Sequence, residues 1–536
     1  TLLGQFVNTG DYNVSAESHI VLARGADSEG TLLNAKTVTT NGAILAKDGA
    51  VVIGGETVDN SGSYTATNGD VLVIGGTITN LGAISANGGD VHVTATTSAK
   101  LSGNVTAKDF AAILAPTITN SETSVSAGNG ILFAGGVEEG DVPTRADSVS
   151  LMSDLSTKTG DIVFFGDVIS NSGDAASGDG NIRVFAAGNV AFGGLSASKG
   201  YVDIRGAQAA DLNGDILAKD SISVFGNKIT LVGDAIADGM IAFGGGVVSE
   251  DQSLSQALSF EVYDSDITSA NEDVIIYAAN VMANQGVITS KAGDILIGGN
   301  TLSGSTAYEA SKGDVFFQLE NSLTLNAGGN VTAGGNAVLI ADKTLVNSVV
   351  NAVNDIVLAS AIDENQKPVS GTSVMIGSGG SLTTTEGNTI IAADLFGSSG
   401  SVSAVKGAIG IWVDSLTDTG NISSKKHLVI ELAGTSTLNI NGSVSGGEGT
   451  ALFANKIAVA SGGTVKGGGG AVYLGGGVND ENELLRANSV TNSGVINGEN
   501  GDVRIAAETI KSSGTLTSGT ADLFLTGGTI TTAALS

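Results

Sequence analysis

The chain of 536 residues contains no cysteine, so neither a disulfide framework nor a thiolate metal site can form. Its 3 prolines follow Ala115, Val142 and Lys367, and no Pro-rich or Ser-rich run reads as a linker between domains. Aromatic residues make up 4% of the chain, with a single tryptophan, Trp412. Positive charge is scarce too: 24 Lys and Arg face 54 Asp and Glu, for a formal charge of −30. Such a surface repels nucleic acid and anionic membrane and favours solubility. No window approaches about 18 unbroken apolar residues, so no membrane insertion is expected within this span. The stretch begins at Thr1 without a charged-then-apolar leader, and a signal peptide is expected to have been removed or to lie outside it.

Catalytic signatures are likewise absent. There is no G-x-S-x-G elbow, H-E-x-x-H helix or P-loop, and GGTVKGGGGAVYLGGG (462–477) lacks the lysine–serine ending that holds phosphate. His19, His92 and His427 lie far apart in strand-like surroundings and are expected to be solvated, with His92 pointing outward. No residue is assigned a catalytic role, and the chain is not expected to be an enzyme.

What the chain does contain is repetition. TVTTNGAILAKDGAVVIGGE from Thr37, TVDNSGSYTATNGDVLVIGG from Thr57 and TITNLGAISANGGDVHVTAT from Thr77 are one phrase at a spacing of twenty residues. Apolar residues fall in pairs two apart, as at Val58, then Tyr64 and Ala66, then Val71 and Val73. That spacing belongs to strands, not helices. Gly62 and Gly69, repeated as Gly82 and Gly89, mark points where a Cβ would obstruct the chain. Each block is therefore three short strands and three turns, too small to bury its own apolar side chains, so blocks must stack. The expected fold is all-β: one continuous parallel β-helix over residues 1–536, with roughly 25 layers and a length on the order of 120 Å at ~4.8 Å per layer. A right hand follows by analogy with parallel crossovers. Slips of two residues in strand placement are expected, most of all over 148–280 and 377–460, where the beat is poorly kept.

A longer period overlies the first. Segments 26–36, 137–147, 247–258, 362–372 and 478–488 interrupt the rhythm, and their starts lie 110 to 116 residues apart. Five coils of twenty plus an insert of eleven give that interval, so all five inserts are expected on one face. They are acidic: Asp27 and Glu29; Glu138, Glu139 and Asp141; Glu250 and Asp251; Asp363 and Glu364; Asp480, Glu481 and Glu483. These are the candidate binding residues, for a partner or for calcium, since hard cations want several carboxylate and carbonyl oxygens. The simpler reading is solvated polar loops, because none has the acid spacing of an EF-hand. The recurrent Gly-Asp before a strand, at Asp70, Asp90, Asp161, Asp294, Asp314 and Asp502, reads as a turn aspartate bonding its own backbone. Trp412, in IGIWVDS, is expected in the core.

SVTNSGVINGENGDVRIAAETI (489–510) and TITNLGAISANGGDVHVTAT (77–96) resemble the coils of filamentous-haemagglutinin-type bacterial adhesins. The resemblance covers nearly the whole chain and implies an exported, non-catalytic rod or fibre displayed outside the cell or on the bacterial surface. Its partners would be glycans or proteins of a host or neighbouring cell. The Asn-Pro-Asn motifs of that family's secretion domain are not found here. Both ends read as uncapped coils, which suits a segment of a longer rod or copies docked end to end into a filament. A polysaccharide-cleaving β-helix is the remaining alternative, by analogy of fold alone.

Overall fold

The structure, a computed structural model, describes residues 1–29, 31–140, 142–247 and 254–533. It is an all-β parallel solenoid of about 26 turns, with no helix among the described residues. Its contacts cluster into two compact units, Thr1–Thr268 and Ser269–Ser536, each built coil on coil.

One coil shows how the phrase folds. Strand Tyr64–Ala66 forms the first face of a coil and Val71–Asn80 covers the second (71–75) and third (77–80), as Val51–Asn60 does in the coil before; the next coil opens with Ile84–Ala86. Pairing is parallel and in register, with Val51 against Val71, Val58 against Ile78 and Tyr64 against Ile84. Val58, Tyr64, Ala66, Val71 and Val73 are at most 1% exposed, as their spacing requires. In other coils all three expected strands stay separate, as in Ile182–Ala186, Asn189–Phe192 and Leu195–Ala197, while in these the second and third run together. The corner between them is turned on a single residue, Glu56 or Gly76, and the ladder resumes directly beyond it.

Where the letters drift, the coil persists. Ile162, Ile182, Val202 and Ile222 pair in succession at twenty-residue steps. Between 377 and 460 the step varies: Ile409 pairs with Leu428 and Leu428 with Thr450. Only inward positions are held to a type, so outward letters and corner lengths change freely. Large rings fill the interior where small residues leave room, as in Phe133, Phe164 and Phe192, whose centroids follow one another at 5.2 and 5.1 Å. Each such buried ring contributes about 1.5–3 kcal/mol relative to exposure.

Polar side chains tie one coil to the next. A Cβ on Gly82 would lie 1.4 Å from the Gly62 carbonyl oxygen, and one on Gly62 2.1 Å from that of Gly42, so these glycines are required by stacking. The Gly-Asp carboxylates correct the expectation of an own-backbone turn. Asp70 accepts from the N–H of Asp90 (2.8 Å), Asp90 from Phe110 (2.9 Å) and Asp161 from Asn181 (2.8 Å). Asp294 accepts from Asp314 (2.7 Å), Asp314 from Asn336 (2.7 Å) and Asp502 from Asp522 (3.2 Å). The acceptor serves the next coil because the corner aligns equivalent residues one layer apart. Inside, the Thr40 hydroxyl donates to Asn60 Oδ1 (2.9 Å) and lies 2.7 Å from the Tyr64 hydroxyl, while Asn60 Nδ2 donates to Asn80 Oδ1.

Candidate functional site: five hairpins and an aromatic face

The five inserts are antiparallel β-hairpins. Their strands are Gly25–Ala26 with Leu32–Leu33, Gly136–Glu138 with Val142–Thr144, Gly246–Val247 with Leu254–Ser255, Ala361–Ile362 with Pro368–Val369, and Gly477–Val478 with Leu484–Leu485. One hydrogen bond closes every stem: Arg24 N–H to Leu33 O, Gly135 to Thr144, Gly245 to Ser255, Ser360 to Val369 and Gly476 to Leu485, at 2.8–2.9 Å.

Register fixes where they leave the coil. Leu22 pairs with Ile53 and Ala35 with Gly55, so residues 24–34 are the insertion, at the corner between the second and third faces. The same alignment places the others at 135–145, 360–370 and 476–486. Each is eleven residues long, as the arithmetic of the period requires, but begins two residues before the sequence-based boundary. Within Thr1–Thr268, five layers of second-face strands separate the first hairpin from the second, and five more the second from the third. Within Ser269–Ser536, five separate the fourth from the fifth. That interval is about 24 Å at ~4.8 Å per layer.

The tips divide the candidate acids into two kinds. Asp27 Oδ1 accepts from the N–H groups of Glu29 (2.9 Å) and Thr31 (2.8 Å), and Asp363 Oδ1 from those of Asn365 (2.9 Å) and Lys367 (2.7 Å). Asn479 does the same for Glu481 (3.1 Å) and Glu483 (2.7 Å), so Asp27 and Asp363 shape their own turns. Gln366 and Asn482, at φ 61° and 60°, complete the fourth and fifth turns in the left-handed region. Glu29, Glu138, Glu139, Glu364, Asp480, Glu481 and Glu483 are exposed, with Glu483 accepting from Asn479 Nδ2 at 3.0 Å. Asp141, Glu250 and Asp251 lie outside the described residues. Among the described residues no group of three His, Cys, Asp or Glu side chains is placed to hold a metal ion. The return of the fourth hairpin is tied by Asp342, which accepts from Thr372 N–H (3.0 Å) and Oγ1 (2.7 Å). Those bonds hold its carboxyl below the ordinary aspartate value.

The hairpins stand beside a face that carries a series of outward aromatic rings. On the first face part of the outward column is hydroxylic, as in Thr65, Ser85, Thr106, Ser126. On the second face the outward positions, interspersed with charged residues, include aromatic rings: Phe165, Phe185 and Phe225 in the first unit, and Tyr277, Phe316, Trp412, Phe453, Tyr473 and Phe524 in the second. Phe165 and Phe185 pair in register, followed by Arg205 and Phe225. Pro143 of the second hairpin lines an apolar cleft here with Phe110, Leu132, Val163, Phe165 and Phe185, and Arg145 stacks over Phe165 at 4.8 Å. Leu484 of the fifth hairpin sits against Gly475, where a Cβ would come within 2.6 Å of its Cδ1. Hairpin residues Val137, Val142, Ile362, Val369, Val478 and Leu485 are themselves exposed.

Trp412 corrects its sequence-based placement. It is 41% exposed, on the outer side of Ile409–Leu416, because Ile409, Ile411 and Val413 take the inward positions. Strand alternation in IGIWVDS carries that signal, since Trp412 alternates with the inward-facing Ile411 and Val413. The aromatic face was missed because its rings lie roughly twenty residues apart and align only once the coils are stacked. His92 points outward with its imidazole 3.8 Å from Asp90, and His427 lies 3.8 Å from Glu448. His19 Nδ1 accepts from the Ala50 N–H at 2.8 Å. Comparison of the chain with protein-family models, with curated proteins and with solved structures finds no match.

Proposed function

We propose that the chain is a non-catalytic, adhesin-like scaffold of the bacterial cell surface or extracellular space, whose hairpins and aromatic face meet a partner. One observation carries this: hairpins of the same build leave the same corner of the coil and, within each unit, recur every five coils. Coil stacking does not require them, since other coils turn that corner on one to four residues, as at Glu56 and between Leu432 and Thr437. Ordering a backbone costs about 1–2 kcal/mol per residue, and these hairpins add exposed surface in place of core. The likeness to filamentous-haemagglutinin-type repeats supports the same reading, with glycans or proteins of another cell as partners.

The test is to delete 24–34, 135–145, 360–370 and 476–486 together, which restores coils of regular length. Labelled parent protein is expected to be retained on whole epithelial or bacterial cells in flow cytometry. The deleted form is expected to lose most of that retention with an unchanged far-ultraviolet circular dichroism spectrum. Equal retention of both forms, or none by the parent, would overturn the reading.

A further inference from the structure

On the second face this chain builds the same arrangement twice from its own residues: a guanidinium over an aromatic ring with a carboxylate at its side. Arg205 lies 5.6 Å from the Phe185 centroid and 3.0 Å from Asp203. Arg504 lies 4.8 Å from the Phe524 centroid and 2.9 Å from Asp502. Trp412 is an exposed ring whose neighbouring positions on the coils carry carboxylates instead of a cation. A Cβ on Gly410 would come within 2.3 Å of the indole Cη2 and 2.6 Å of Cζ3, so the indole leans along the strand over Gly410, and its residue is 41% exposed. Glu431 is its register partner on the next coil, one layer or ~4.8 Å away. Asp414 follows two residues along the strand, and Asp394 stands opposite Asp414 on the preceding coil, between the Ala393–Val413 and Leu395–Ser415 pairs. All three carboxylates are exposed, and among the described residues none joins an ion pair and no lysine or arginine stands over Trp412.

Indole has the strongest cation-attracting face of the side chains, and carboxylates only accept hydrogen bonds. We propose that Trp412, with Glu431, Asp414 and Asp394, is a docking site for a cationic side chain, an arginine or lysine, presented by a partner protein. This rests on reading the chain as a contact scaffold and gives that contact its chemistry. Charge favours it at longer range as well, since a chain of formal charge −30 attracts basic segments. A pyranose ring would also stack on indole and donate its hydroxyls to the carboxylates, but a neutral ligand leaves their charge uncompensated.

Because Trp412 is the only tryptophan, its fluorescence reports the site directly. The probe is an amidated Gly-Arg-Gly-Arg-Gly peptide, compared with the same peptide carrying citrulline, which keeps the shape and removes the charge. The arginine peptide is expected to give a saturable change with a dissociation constant on the order of 1 mM or tighter. By calorimetry, Glu431→Gln and Trp412→Ala are each expected to weaken binding about threefold or more, and Trp412→Phe to keep part of it. Binding should fall as salt rises. No response to the arginine peptide, an equal response to the citrulline peptide, or the same response to a neutral oligosaccharide such as cellopentaose would overturn the proposal. The form lacking the four hairpin inserts keeps this site, so equal cell retention with arginine-peptide binding intact would overturn the scaffold reading alone, and loss of retention with no arginine-peptide binding would overturn this proposal alone.

Discussion

Tyr64 and Tyr308 carry their phenols into the core, where the charged form would be stranded without water. Burial pushes both well above the ordinary tyrosine value of about 10. A raised value means that the native state holds the proton more tightly than the unfolded chain. The contribution to stability is therefore full below about pH 10 and is lost as the pH rises further. In a spectrophotometric titration of tyrosinate, these two of the 7 tyrosines should ionise only with alkaline unfolding, and the delayed fraction should halve in Tyr64→Phe. That variant also removes the partner at 2.7 Å from the Thr40 hydroxyl. It should cost about 0.5–1.5 kcal/mol in urea unfolding, because Thr40 keeps its bond to Asn60. Glycine makes a related point, since Gly62 and Gly82 are legible in the sequence as obligatory, yet the reason is the carbonyl of the coil beside them and not a turn of their own.

The hairpin is the element on which the proposed function rests, and in the first, fourth and fifth its tip is held by one side chain. Asp363 satisfies two backbone N–H groups of a turn that also places Gln366 at φ 61°. Asp363→Ala should leave the coils intact and loosen only residues 361–369, raising their amide exchange at least tenfold while strands Ile356–Ala359 and Gly371–Ile376 keep their protection. Asp363→Asn should restore it, as Asn479 performs the same task in the fifth hairpin. Rapid exchange spreading into those strands would show the hairpin to be a support of the coil. The sequence made these segments visible as acidic interruptions with a fixed period. It did not show that Asp27 and Asp363 face their own turns while Glu29, Glu364 and Glu481 face solvent, because composition is blind to which acid caps a loop.

Over the whole molecule the balance of charge sets the response to pH. At neutrality 54 acids oppose 24 bases, and proximity along stacked coils makes the repulsion costly. Lowering the pH first relieves it. Against this stand carboxyls such as Asp342, held below the ordinary value by Thr372, and Asp502, held there by Arg504. A depressed value contributes stability above the unfolded value of about 4, and that contribution is lost as the pH falls through the native one. The thermal midpoint should thus hold or rise between pH 7 and about 4.5 and fall below about pH 3.5, with added salt raising it at pH 7 and doing little near pH 4.5. A midpoint that declined steadily from pH 7 would show that paired carboxylates outweigh repulsion throughout.

The sequence by itself determined the period-two burial, the twenty-residue coil and the five-coil interval of the inserts, because these rest on local alternation and on counting along the chain. Val58, Tyr64, Ala66, Val71 and Val73 lie in the core where their spacing put them. Tertiary structure alone decided what stacking creates. It gave the Asp70 and Asp90 carboxylates to the next coil, folded the inserts into hairpins two residues earlier than their composition suggested, and turned Trp412 outward. It also brought rings some twenty residues apart into one face beside those hairpins. The physical reason is the same in each case: a parallel coil makes neighbours of residues one turn apart, and a reading of adjacent letters contains no term for that contact.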